Sequence, residues 1–228
     1  MSDSGRANGR AVLSPVERRR RNRDEMTGAI LEAARAIMRE HGAAALNLHE
    51  VARRVGLRTP SLYAYFSSKA DLYDALFRLG VQKYAERLHQ AMAEPLSLWD
   101  AMRAALETYM GFAHDCPELY QLVFERPVPG FTPSPESMEA SLTLLAEANE
   151  IVADRFRTEG IVLPLPVNQA TDLIIALNHG LTALHLANEP HLPPGEGRFG
   201  SLVPAAVELI KAAWGAQPTT QKGSEETK

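Results

Sequence analysis

The chain has 228 residues, 45% of them hydrophobic and 23% charged, with a formal net charge of −4. This is ordinary composition for a soluble globular protein of one or two domains with a full core. A single cysteine, Cys116, excludes an internal disulfide framework and suits a reducing cytoplasm. No apolar run approaches the ~18 residues of a membrane span and the start carries no signal-like apolar stretch. The chain reads as cytoplasmic, with no membrane partner.

The charge is unevenly spread. Residues 1–23 carry seven arginines and a net +5, residues 24–70 a net +1, and residues 71–228 a net −10. A basic front and an acidic body suggest one end that faces nucleic acid and one that does not. Residues 1–23 are rich in Ser, Gly and Arg without apolar periodicity, the mark of a disordered basic arm. Arg18 to Arg21, with Arg23, suit phosphate neutralisation or entry into a minor groove, and serve equally as a solubilising tail.

The first helix is expected from Asp24 to His41, where Ile30, Ala34, Ile37, Met38 and His41 form one apolar stripe. Gly42 is the stop. Asn47 fits an N-cap with Glu50 at the third helical position, and Leu46 and Val51 form a staple, opening a short helix from Leu48 to Val55. After Gly56 a third helix runs from Thr59 to Tyr65, with Pro60 in its first turn. Ser68 and Asp71 cap a fourth, longer helix that ends near Met92. Further helices are expected over 97–115, 117–125, 136–158, 167–187 and 201–214, with Pro- and Gly-rich loops at 126–135 and 188–200.

Two short helices joined by a tight turn form the helix-turn-helix plan, whose second helix enters the DNA major groove. Val51, Ala52, Val55, Leu57, Leu62 and Phe66 can supply the small core that holds it. Arg58, Thr59, Pro60, Ser61 and Ala64 are then free to face outward, where small side chains approach base edges. Tyr63 and Tyr65 bring phenolic hydroxyls toward the DNA backbone, or pack against the first helix. Lys69 sets a charge at the start of the fourth helix, where a phosphate is favoured by free N–H groups and the helix dipole.

On these residues the stretch 24–84 resembles the DNA-binding domain of TetR-family transcriptional regulators. The matching pieces are ILEAARAIMREHG, the turn GLRTP and SLYAYFSSKADLYDAL, with its L-Y-x-Y-F-x-S-K core. The resemblance implies DNA contacts by Asn47, His49, Thr59, Pro60, Ser61, Tyr63, Tyr65 and Lys69. Many members place serine directly after the turn, where this chain has Arg58. The cap is therefore expected to move to Thr59, leaving Arg58 for a guanine or a phosphate.

The remainder resembles the family's effector-binding and dimerisation domain. HDCPELYQLVF and IIALNHGLTALHLANEP look like a subgroup with a histidine–glycine signature, although Asn178 stands where a bulky residue is expected. The resemblance implies dimerisation through the last two helices, which offer Leu173, Leu177, Leu181 and Leu184, and Leu202, Val207, Ile210 and Trp214; core packing within one chain would use many of them equally well. It also implies a ligand cavity, for which Tyr109, Phe112, His114, Phe124, Met138 and His179 are the candidate lining residues, each of them equally a core residue by type.

No histidine or cysteine cluster has metal-ligand spacing, and no nucleophile elbow, phosphate loop or dinucleotide fingerprint is present. The chain reads as a non-enzyme that needs no cofactor or metal. The expected fold is all-α with about nine helices. An N-terminal three-helix helix-turn-helix domain covers 24–84, and a larger helical effector-binding and dimerisation domain covers 85–214. The disordered arm, 1–23, and a flexible tail, 215–228, flank them. The expected function is a homodimeric, ligand-responsive regulator, a repressor that holds a pseudo-palindromic double-stranded DNA operator and is released by a small-molecule effector. An activator using the same head, or a helical small-molecule sensor with a vestigial head, are the other readings.

Overall fold

The computed structural model describes residues 14–215, and every regular element among them is helical. The expected arm up to residue 13 and the expected tail from 216 lie outside the described residues. The chain divides into two compact units between Leu72 and Tyr73, earlier than the expected boundary at 84–85 and inside a long helix.

Helix α1 spans Pro15–His41, so the segment 15–23 is helical and not a disordered arm. The reason is local. The Ser14 hydroxyl accepts from the Glu17 N–H at 3.2 Å, and Glu17 accepts from the Ser14 N–H at 2.8 Å. With Pro15 at the first position, this is a complete capping box. The hydrogen bonds from Ser14 also hold the Glu17 carboxyl below its usual range. The arginines that follow are good helix formers. Ile30, Ala34, Ile37 and Met38 are buried as expected, whereas His41 is exposed. The helix stops at Gly42, whose φ of 88° is cheap only for glycine.

Helix α2, Leu48–Arg54, is capped by Asn47, which accepts from the His49 N–H at 2.9 Å. Glu50 does not close a capping box. Its carboxylate takes Arg53 at 2.6 and 2.7 Å and Arg54 at 3.0 Å. Arg54 reaches on to Glu40, at the end of α1, with two bonds of 2.6 and 2.9 Å. Bidentate charge-assisted bonds of this kind are specific in geometry. Arg53, followed by Arg54, brings the Glu50 carboxyl down from 4.5 to about 2. A depressed carboxylate stabilises the fold above its unfolded pKa and loses that contribution as pH falls toward its folded one. The melting temperature is therefore expected to fall between pH 4.5 and 2, and the fall should be smaller in Glu50→Gln. Circular dichroism melts across that range check this; equal pH dependence in both proteins would contradict it.

Helix α3 is a single turn, Thr59–Leu62, which the chain continues as a turn through Tyr65. Helix α4, Lys69–Ala91, starts at Ser68, whose hydroxyl accepts from the Asp71 N–H at 3.0 Å and donates to the Asp71 carboxylate at 2.9 Å. Leu46, Val51, Ala52, Leu62 and Phe66 join the α1 stripe to form the core of the first unit. Val55 and Leu57 are only half-buried.

The second unit continues with α5, Leu98–Asp115, and α6, Pro117–Tyr120. The latter widens into a π turn, Gln121–Glu125, closed by Arg126 in the left-handed conformation at φ 51°. Then come α7, Pro135–Thr158, and α8, Val167–Asn188. A short helix, α9, Gly197–Gly200, lies inside the expected loop 188–200, and α10 is Val203–Trp214. Helix α5 packs on α8 and α10, and α7 on α8. Leu98, Met102, Leu106, Met110, Phe156, Val203, Val207 and Ile210 form one buried cluster, with Trp99 and Trp214 packed against it. Val207, Ile210 and Trp214, expected at a dimer face, therefore serve the core of their own chain. Near its start α4 is tied to the start of α7. Asp74 accepts from the Ser134 N–H at 2.7 Å and from the Ser137 hydroxyl at 2.8 Å.

Candidate nucleic-acid interface and ligand cavity

In the first unit a fully buried Leu62 anchors α3 from beneath, and Phe66 closes the following turn. Around that anchor Arg58, Pro60, Ser61 and Ala64 are exposed, as are Asn47 and His49 at the start of α2 and Lys69 at the start of α4. Tyr63 is 50% exposed. Thr59 is half-buried, since its hydroxyl meets His49 Nδ1 at 2.9 Å. That bond joins the starts of α2 and α3. Thr59 is consequently the first helical residue and not the cap; Arg58 holds the cap position without a side-chain hydrogen bond. Tyr65 is half-buried, and its ring lies 5.1 Å below the Arg23 guanidinium. Arg23 also donates to the Ala64 carbonyl at 2.9 Å. This residue, read from the sequence as part of a DNA-seeking arm, braces the turn after α3 instead. Of the expected DNA-contact residues all are thus exposed but Thr59 and Tyr65, which are partly engaged within the chain.

The second unit holds a cavity of about 280 Å³ bounded by α4, α5, α7, α8 and the π turn. Its wall is aliphatic over most of its extent, with Tyr84, Tyr109 and Phe124 grouped in it. Tyr84 stands 5.6 Å from both other rings, and Tyr109 lies 5.0 Å from Phe124. Burial pushes the Tyr84 and Tyr109 hydroxyls well above the ordinary phenol range. Tyr109 and Phe124, two of the candidate lining residues, are in the wall. Phe112, His114, Met138 and His179 are not among the wall residues. His179 stands behind it, its Nδ1 meeting the Tyr109 hydroxyl at 2.9 Å and the Tyr120 hydroxyl at 3.2 Å. Phe112 is fully buried against Tyr84 and Phe124. His114 is half-buried near the end of α5, and Met138 half-buried near the start of α7. Among the described residues no group of three metal-ligating side chains occurs, and no helix is long and apolar enough to cross a membrane.

Residues 30–76 match the family model described as bacterial regulatory proteins, tetR family. Residues 102–202 match that of the tetracyclin repressor-like C-terminal domain. The two matches cover the outward head and most of the cavity-bearing unit. This chain belongs to the tetR family. Over 103 residues, 45% of this chain and 47% of the relative, it is 34% identical to the HTH-type transcriptional activator FasR of Mycolicibacterium smegmatis. The chain spans about half the length of the curated relatives it matches. Among solved structures, a protein of unknown function from Rhodococcus sp. RHA1 aligns with a TM-score of 0.69 at 22% identity, covering 84% of this chain and 95% of that one. The regulator FadR of Bacillus subtilis, solved with stearoyl-CoA, aligns with a TM-score of 0.63 at 16% identity, covering 80% and 96%. At such identities the likeness is one of fold.

For this tetR-family chain, sequence reasoning missed most of the cavity wall. Leu144, Leu145, Ala148, Ile151 and Val152 of α7 line it, as do Arg155 and, from α8, Asn178. Two signals were available. The α7 residues recur at helical spacing, and Asn178 interrupts an apolar run, IIALNHGL. What no local pattern reveals is that α7 leaves space, not contact, along part of that face.

Proposed function

We propose that this protein is a homodimeric, ligand-responsive DNA-binding regulator acting in the cytoplasm. In this reading it is a repressor that holds a pseudo-palindromic operator. The observation that carries the reading is the surface around buried Leu62. Arg58, Pro60, Ser61 and Tyr63 are exposed on and beside a single helical turn held by the core and by Arg23. Small groups at the front of α3 read base edges, while Tyr63, Tyr65 and Lys69 engage phosphates and fix orientation.

Dimerisation uses the solvent-facing side of α8 and α10. Leu173 and Leu184 on α8, Leu202 at the cap of α10 and Leu209 on α10 are 52%, 46%, 41% and 64% exposed. A two-fold pair places two heads on half-sites one helical turn or a multiple apart. The effector occupies the cavity of the second unit. It favours a conformation in which α4 carries the heads out of register, so operator affinity falls. Operator must then weaken effector binding by the same factor. No residue is assigned a catalytic role.

Footprinting on the DNA flanking its own gene tests this reading. A symmetric protected site is expected; uniform protection without sequence preference would overturn it and favour a ligand sensor with a vestigial head. Lys69→Ala is expected to weaken binding to all sequences and to flatten the log–log salt dependence by about one. An unchanged slope would reject its phosphate role. A second reading, activation, is favoured by the name of the FasR relative. Expression of the adjoining gene with and without the protein separates the two.

A further inference from the structure

We propose that the cavity takes an elongated carboxylic acid, its carboxylate seated on Arg155 and a hydroxyl near its other end held by Asn178. This rests on reading the cavity as the effector site and names the chemistry of its ligand.

The shape comes first. Wall residues run along α7 from Ser141 to Arg155 and along α5 from Leu98 to Tyr109. At ~1.5 Å per residue these stretches are roughly 21 and 16 Å long. About 280 Å³ along walls of that length favours a slender ligand. The cavity lies at the lower edge of the ~300–1,000 Å³ usual for small-molecule sites, which suits one slender chain. Met102, Leu144, Ile151, Val152 and Ile174 make its sides aliphatic, which matches a run of methylenes.

The two ends differ. Among the described residues Arg155 is the one charged residue in the wall, and no carboxylate lines it. It is half-buried and donates through Nη1 to the Leu96 carbonyl, just ahead of α5. A guanidinium has five N–H groups in a fork that fits a carboxylate, so capacity remains for an anion there. A cationic ligand would meet only repulsion.

Asn178 is the last wall residue along α8, next to His179, whose Nδ1 meets the hydroxyl of Tyr109, the last wall residue along α5. It is 7% exposed, and its Oδ1 has no hydrogen-bond partner among the described residues. A buried acceptor left unpaired is costly, and only a donor relieves it. A ligand hydroxyl can donate to Oδ1 and accept from the same amide; a ketone or ester oxygen cannot donate. The bulky residue that the sequence resemblance led us to expect at 178 would shut this end; an amide makes it polar.

Calorimetric titration of the full chain, without DNA, tests the assignment with dodecanoic acid, 12-hydroxydodecanoic acid, 1-dodecanol and dodecylamine. The hydroxy acid is expected to bind about tenfold more tightly than dodecanoic acid, and the amine most weakly. In Asn178→Leu the preference between the two acids should vanish or invert. In Arg155→Gln both acids should weaken about tenfold while the alcohol is unchanged. The ligand series on the unaltered protein stands even where a variant fails to fold. Equal affinity for acid, alcohol and amine, or no binding of the hydroxy acid, would overturn the proposal. A hydroxy acid that binds yet leaves DNA occupancy unchanged would instead sink the effector reading and leave this assignment intact.

Discussion

A chain carrying Leu184→Asp and Leu209→Asp is expected to sediment as a folded monomer and to lose about 100- to 10,000-fold in operator affinity. Both leucines face solvent in the single chain, at 46% and 64% exposure, so the changes should cost the monomer little. In a pair of chains they would put charge into an apolar interface, where an unpaired carboxylate is strongly disfavoured. Gly180 lies between Ala176 and Leu184 on α8, and a Cβ added there would meet nothing within 4 Å. That leaves a partner helix room to approach closely. Operator affinity depends on the pair because the second head binds at the high effective concentration set by the first. Analytical ultracentrifugation and a DNA titration check both halves. A variant that remains a dimer would place the interface elsewhere.

Phe156→Ala should be the most damaging single truncation in the second unit, costing about 3–5 kcal/mol. The side chain is 1% exposed and sits in the central cluster, with Trp99 at 5.8 Å and Trp214 at 6.0 Å from its ring. It also lines the cavity. Its removal leaves a void between α5, α7 and α10 while enlarging the cavity. Against a total stability of about 5–15 kcal/mol such a loss is large. Urea unfolding followed by tryptophan fluorescence should show the midpoint fall, while the first unit's far-UV signal persists at low denaturant. A midpoint unchanged within error would mean that the cluster does not carry the unit's stability.

The first unit was legible where the signals are short-range. Gly42 and Gly56 end helices at positive φ, Asn47 and Ser68 cap the next ones, and Leu62 and Phe66 are buried. Each depends on residues within a few positions. Contacts between distant residues were not legible. Arg23 braces Ala64 across 41 positions, and Arg54 ties Glu40 across 14. Nothing in either residue's neighbourhood announces its partner. The start of α1 was misread for another reason: Ser14-Pro15-Val16-Glu17 is a strong opening signal, but the compositional bias around it outweighed it.

In the second unit helical periodicity located the helices, yet periodicity only says which face is apolar. It does not say whether that face meets core, cavity or a second chain. Val207 and Ile210 went to the core, Leu209 to the surface, and Ile151 to the cavity. Candidates chosen as aromatic or imidazole fell on both sides of the wall. Tyr109 lines it, and His179 supports Tyr109 from behind.

Sequence-specific recognition of a two-fold site is the central claim. A competition titration at fixed 0.15 M salt tests it most directly, setting the footprinted site against a scrambled duplex of equal length. The expected result is two chains per duplex and a preference of at least ~1,000-fold for the site. Equal affinity for both duplexes would contradict the account, because phosphate attraction alone treats every sequence alike.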